Sequence, residues 1–390
     1  MPSLTRQEAH DRARSITVTS YDVTLDLRTA HDVRERHPDP VHGPPAGDET
    51  FIDIKAVEVH RVTLNGRELD PAAGNDGRLL LRDLAEDNEL RCSATMAHSR
   101  DGQGLHRAVD PADGEAYVYG HTSLDAAPRV FACFDQPDLK APYCVSVDAP
   151  QNWQVLGNAA ATGLADGRWE LARTQPLATC FVTVCAGPYV SVRSEHDGIP
   201  LGLHARASCV SPSNGAPSIL AVTRASFDYY HSLFGIRYPF GEYHQVYVPE
   251  FNAGAMENPG CVTVRDSRLF RGAVTDDNLL SRARTRAHEM AHMWFGDLVT
   301  MRWWDDLWLN ESFAEYMAGR TLVAATEFTD AWVSFGILRK TWGYAAERAP
   351  QNPSRRRGAG SRRGCGTPGL RRHLLRQGRL RPATAHRLRR

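Results

Sequence analysis

The sequence predicts an α+β chain of more than one domain, and three observations predict it. The first half alternates apolar and polar residues in short runs bounded by Gly and Pro. The second half changes to apolar residues recurring three to five positions apart, which is helical spacing. The 390-residue length gives room for more than one sizeable core. Apolar residues at 42% and charged residues at 24% match ordinary globular usage, so a disordered chain, a collagen and a coiled coil are excluded.

Taken in order, Met1–Arg14 is charged and lacks the apolar stretch of a secretory leader. Val23, Leu25 and Leu27 alternate as in a half-buried strand, followed by Ile52 and Ile54, then Val57 and Val59. Val62–Leu64 runs into Asn65-Gly66, a signal for a type I′ hairpin turn. Cys144–Val147 and Phe181–Val184 are further predicted strands, and the polar stretches His31–Thr50 and Pro71–Asp76 read as loops. The most apolar run, Thr179–Val192, is broken by Gly187 and Pro188 and falls short of the roughly 18 residues a membrane span needs. The expectation is a cytoplasmic protein with no membrane partner.

After about His196 the pattern predicts a helix over Ala216–Phe234, on Ile219, Val222, Phe227 and Tyr230, and then a strand over Tyr243–Val248. Two further helices are predicted over Asn278–Trp294 and Asp305–Ala325, with Gly296 in the turn between them and Asp276 or Asp277 as cap of the first. The expected division is 1–195, 196–353 and a tail over 354–390.

The formal net charge of zero averages two unlike pieces. Ser354–Arg390 holds 13 Arg and no Lys, Asp or Glu, which leaves Met1–Pro353 with 33 basic and 46 acidic residues, a net of −13. The body therefore carries no nucleic-acid footprint. Eight cysteines without C-x-x-C spacing read as free buried thiols of a reducing compartment.

The chemistry concentrates in His288-Glu289-Met290-Ala291-His292. Two histidines at i and i+4 lie one turn apart on one helix face, so both imidazoles can reach one ion. Glu289 is turned about 100° away, where it can take a proton from an attacking water. Two surface histidines on a helix are the plain alternative. Glu311, 19 residues after His292 on the next predicted helix, can return a carboxylate as a third ligand. Glu315, one turn further, is either a partner for the second N–H of a ligand histidine or a solvated helix carboxylate. Phe251–Asn258 follows a strand; Gly254 and Ala255 would let a substrate backbone pair there as an added strand, and Glu257 could hold a substrate ammonium. A surface loop with one acid is the alternative.

Gly254-Ala255-Met256-Glu257-Asn258, His288–His292 and Glu311 together resemble the M1 family of zinc aminopeptidases, the aminopeptidase N-like gluzincins. The resemblance is continuous over Ala287–Tyr316, reaches Phe131–Asp138 and Tyr21–Val23, covers roughly Leu4 to Pro353, and is nearest the cytosolic actinobacterial type. It implies a saddle-like N-terminal β domain over 1–195 and a thermolysin-like catalytic domain over 196–353, incomplete at its C-terminus. It implies one Zn2+ per chain on His288, His292 and Glu311, with Glu289 as general base. Gly254, Ala255, Met256, Glu257 and Asn258 would bind substrate, and His121 would share in binding the amine. The implied substrates are peptides with a free N-terminus, acted on by a monomer. A non-catalytic zinc-binding homologue or scaffold is the alternative; relatives that also open an epoxide usually vary the alanine that stands here as Ala255.

The family continues for several hundred residues, with a catalytic tyrosine and a helical domain, and nothing after Pro353 resembles that continuation. His373–Ala385 can be encoded so that a one-base shift reads Ile-Ser-Tyr-Ala-Lys-Gly-Ala-Ser-Val-Leu-Arg-Gln-Leu, which is similar to the family's tyrosine segment. The Arg-only tail is then an out-of-frame reading of a GC-rich gene, the rival being a basic arm for nucleic acid or an anionic membrane, and the chain as written is expected to be impaired. Resequencing the gene checks this: a one-base shift after Pro353 is expected to open a long frame, and a gene in which no such shift does so contradicts it.

Overall fold

In the computed structural model the described residues are 4–28, 32–36, 39–42, 49–71, 77–210 and 215–348. Residues 72–76 of the second predicted loop and the tail 354–390 lie outside them.

The strand Asp87–Ala97 organises the first half. Glu58–Leu64 pairs along one edge, while Asp32–Arg36 and Asp39–His42 pair in succession along the other. The predicted loop over His31–Thr50 is thus corrected to contain two strands. A long strand offers a ladder of backbone groups that a polar partner satisfies as well as an apolar one, and Asp39–His42 is paired on its other side by Thr17–Val18. The hairpin after Leu64 forms as predicted, with Asn65 at φ 53° and Gly66 at φ 79°, the pair of positive values that a type I′ turn requires.

Tyr21–Asp26 lies parallel to Tyr143–Asp148, and Tyr21, Val23 and Leu25 point into the core. The predicted strand at Phe181–Val184 is displaced: Thr179–Phe181 is a 3-10 turn and the strand is Val184–Gly187. The Asn158 side chain accounts for the shift, since it donates to the Phe181 carbonyl (2.9 Å) and accepts from the Thr183 N–H (2.7 Å), groups a ladder would otherwise pair.

A helix the sequence reading missed, α1 (Arg6–Ser15), opens the chain on a capping box between Thr5 and Glu8. Leu4 just before it and Ala9 within it pack with Trp303, and Arg6 pairs with Asp305 at 2.7 Å. Its inner face carries Arg12, buried, at 3.0 Å from the buried Asp53 carboxylate and 2.6 Å from Gln136 Oε1.

The second half is built on a five-stranded sheet. Val190–His196 pairs antiparallel with Ile199–Ala205; Tyr243–Val248 and Cys261–Arg265 follow in parallel; and the two-residue strand Ala255–Met256 closes the far edge antiparallel to Cys261–Arg265. Helix α2 spans Ala216–Phe234, the predicted bounds, between glycines with positive φ at Gly215 and Gly235. Helix α3 spans Asp276–His292, and its cap is Thr275, which forms a capping box with Asn278, so Asp276 and Asp277 sit in the first turn rather than at the cap. Helix α4 spans Leu307–Ala325 after a 3-10 turn at Trp304–Asp306. Gln245 Nε2 donates to Thr223 Oγ1 (3.0 Å), joining sheet to α2, and the Tyr230 hydroxyl donates to the Ala287 carbonyl (2.7 Å), joining α2 to α3. Among the described residues no helix is long and apolar enough to cross a membrane, and six of the seven described cysteines are buried.

Because α1 abuts Trp303 at the entrance to α4, its anchor also supports the helix that carries Glu311. Arg12→Ala leaves the buried Asp53 carboxylate with only the more distant Arg78, at 3.7 Å, as charge partner, and it is expected to lower the unfolding free energy by about 3 kcal/mol in a urea titration. A midpoint unchanged from the parent protein contradicts that assignment.

Candidate metal centre

Helix α3 presents His288 and His292 on one face, with ring centroids 4.6 Å apart and Nε2 atoms 3.0 Å apart. Helix α4 brings Glu311 Oε2 to 3.6 Å from His288 Nε2. One donor atom from each of the three residues lies within 4.8 Å of the others. Ligands on a tetrahedral zinc with bonds of about 2.0–2.1 Å stand roughly 3.3 Å apart, and the distances of 3.0 and 3.6 Å bracket that spacing. Two imidazoles and a carboxylate are also the donor chemistry zinc takes when one position is kept open. The residues present therefore fit such an ion.

Each imidazole is held from behind. His288 Nδ1 lies 3.3 Å from Glu315 Oε2, and His292 Nδ1 lies 3.2 Å from the Phe295 carbonyl. Both contacts leave Nε2 facing the other donors. Glu315 is itself fixed by Arg339, whose Nε is 3.1 Å from Oε1, and more distantly by Arg284 at 4.0 Å. Burial opposes its charge, but His288 and the Arg339 charge outweigh that and bring the carboxyl down to about 2. For His288, burial favours the neutral ring, yet the Glu311 and Glu315 carboxylates beside it raise its affinity for a proton well above the ordinary value. This arrangement of charges favours a positive charge on or beside the His288 ring.

Glu289 lies beside the triad, buried, and a second grouping of donor atoms within 4.8 Å joins it to Glu257 and His292. Burial, with Glu257 and Glu311 as like charges nearby, pushes its carboxyl up to about 8. The structure thus gathers four sequence-predicted residues of α3 and α4 with the acid of the 254–258 segment.

That segment lies on the sheet edge. Ala255 and Met256 pair with Val264 and Thr263, the Gly254 carbonyl accepts from Arg265 N (3.0 Å), and a Cβ at Gly254 would meet open space. Asn258 closes the turn by accepting from Cys261 N at 3.0 Å. Glu257 is 5% exposed, and Asn310 Nδ2 donates to its Oε1 at 2.9 Å. His121, at the end of the strand Ala116–His121, is buried with its ring 4.9 Å from Phe251, and its Nδ1 is 2.8 Å from the Gly102 carbonyl. Burial lowers its pKa, against the nearby charge of Glu257.

Asn310, Arg339 and Gly296 were missed as members of this site. Asn310 is next to Glu311 in sequence, but its bond to Glu257 exists only once α4 meets the sheet edge. Gly296 sits at φ +134°, and a Cβ there would stand 2.1 Å from Asn310 Oδ1 and 3.4 Å from His292 Nδ1. Gly296→Ala is therefore expected to dislodge Asn310 and destabilise the fold by about 2 kcal/mol, read as a lower melting temperature; melting at the parent temperature contradicts the tight approach.

Residues 219–354 match the peptidase family M1 domain. The chain is similar to aminopeptidase N of Streptomyces lividans, at 45% identity over 89% of this chain and 42% of that protein. It is also similar to probable aminopeptidase 1 of Sulfurisphaera tokodaii, at 31% over 74% of this chain and 36% of that one. Glutamyl aminopeptidase of Homo sapiens is 33% identical over 70% of this chain and 28% of its own length. The chain spans less than half the length of these curated relatives.

Proposed function

The chain belongs to peptidase family M1, and from that premise we infer that it is a zinc-dependent aminopeptidase removing the N-terminal residue from peptides with a free amino terminus. The observation that carries this reading is the convergence of His288, His292 and Glu311 within 4.8 Å, with Glu257 grouped about the same His292. In this reading His288, His292 and Glu311 hold one Zn2+ per chain. When bound, the ion supplies Lewis acidity toward the peptide carbonyl and a charge that favours ionised Glu289.

Glu289 takes a proton from the attacking water on a carboxylate oxygen and passes it to the departing amine. Glu257 receives the substrate ammonium, one of its oxygens being fixed by Asn310. The Gly102 carbonyl can only accept, so neutral His121 carries its proton on Nδ1 and offers Nε2 as an acceptor to the same ammonium. Gly254, Ala255 and Met256 align the substrate backbone along the sheet edge, and Asn258 sets the turn that places Glu257. A carboxylate this close to the metal donors selects peptides that begin there with a positive charge, which is exopeptidase specificity.

The protein works in this account as a cytoplasmic monomer. Residues 1–195 are read as a saddle-like β domain whose last strand, Val190–His196, crosses into the sheet of the next, 196–353 as a thermolysin-like catalytic domain, and 354–390 as an out-of-frame tail. The test is cleavage of free and N-acetylated peptides by the zinc-loaded chain, beside a frame-restored version expected to be about 10²–10³ faster through its added oxyanion donor. Only free peptides should be cut, chelation should abolish release, and Glu289→Gln should lower kcat about 10²–10⁴-fold with zinc content kept. Equal cleavage of acetylated peptides, or activity that survives chelation, overturns the reading.

A further inference from the structure

Away from this centre, a cavity of about 610 Å³ lies between α2 and α3 and is closed at one end by the turn after α4. Ile219, Val222 and Ala225 of α2 face Leu279 and Ala283 of α3 across it, and Phe328 forms the end wall. Small residues on both facing helices keep the space open: Ala225 and Ala283 stand where larger side chains would interdigitate.

The wall also contains two guanidinium groups one turn apart on α3, Arg282 and Arg286. Arg286 is 2% exposed, and it forms no ion pair among the described residues. Its Nη1 donates to the Arg282 carbonyl on its own helix (2.9 Å), its Nη2 donates to the Tyr247 hydroxyl, and its Nε has no partner. Arg282 reaches across to Ser218 Oγ at 2.7 Å, near the start of α2. Burial and the Arg286 charge together hold its guanidinium below the ordinary value. The one acid in the lining, Glu327, is exposed at the rim. Glu289 acts on the Arg286 charge from the next turn, but among the described residues no acid lies within salt-bridge reach of it; a buried cation paired only at a distance is costly, and an anion that enters an otherwise apolar cavity relieves the cost.

We propose that this cavity binds a small organic carboxylate with an apolar body, its carboxylate on Arg286 and its chain against Val222, Ala225 and Leu279. Two sources share this chemistry, a fatty acid and the C-terminal end of a peptide. Octanoate and N-acetyl-leucine serve as the respective probes, with 1-octanol as the uncharged control, each titrated calorimetrically into the full chain.

At least one carboxylate is expected to bind one-to-one, and the tighter of the two identifies the source. Octanol is expected to bind at least about tenfold more weakly than octanoate. Arg286→Met is expected to weaken carboxylate binding by at least about tenfold. Ala225→Phe, which fills the cavity and keeps every charge, is expected to abolish binding; it decides the matter if Arg286→Met does not fold. The proposal is overturned if neither carboxylate binds, if octanol binds as tightly as octanoate, or if folded Ala225→Phe binds like the parent chain.

Discussion

Everything at the candidate centre depends on holding α4 against α3 so that a carboxylate from one meets two imidazoles from the other. The constraint is electrostatic as well as steric. Glu257, Glu289 and Glu311 are all buried, and like charges in so small a volume repel. Burial first, and that repulsion added to it, push the Glu289 carboxyl up to about 8. Much of the surrounding structure acts to keep the helices together against it. The Phe295 and Phe313 rings meet at 4.1 Å across the α3–α4 connection, Tyr230 ties α3 back to α2, and Arg339 holds Glu315 behind His288. Even α1, at the far end of the sequence, contributes by packing on Trp303 where α4 begins.

The connection after α3 carries a second constraint, close approach. Leaving α3, the chain bonds Asp297 N to the His292 carbonyl (3.0 Å) and Gly296 N to the Val299 carbonyl (3.0 Å), folding back on itself before α4. Asn310 then sits over Gly296 and spans to Glu257 on the sheet edge. One backbone position without a side chain thus links His292, α4 and Glu257. The same edge supplies Ala255 and Met256 in a strand only two residues long, an outermost strand against which another extended backbone can align.

The parts of this arrangement that were legible in the sequence are those set by short-range periodicity. His288 and His292 share a helix face because 3.6 residues make a turn, and α2 and the strand Tyr243–Val248 fall where apolar spacing puts them. Contacts between distant segments were not legible. The bond from Asn310 to Glu257 and the pairing of Arg339 with Glu315 join residues with no mutual pattern in the chain. The strands at Asp32–Arg36 and Asp39–His42 were hidden because their pairing comes from the waiting edge of Asp87–Ala97 rather than from their own polar residues. Helix α1 is a different case, since Thr5 and Glu8 spell a capping box that the charged character of the N-terminus obscured.

X-ray absorption at the zinc edge of the zinc-loaded chain tests the central claim most directly. The account predicts a four-coordinate shell of nitrogen and oxygen only, at about 2.0–2.1 Å, with the multiple scattering of two imidazoles. A shell containing sulfur, or one with a single imidazole or none, would contradict it, because the ion would then be held by residues other than His288, His292 and Glu311.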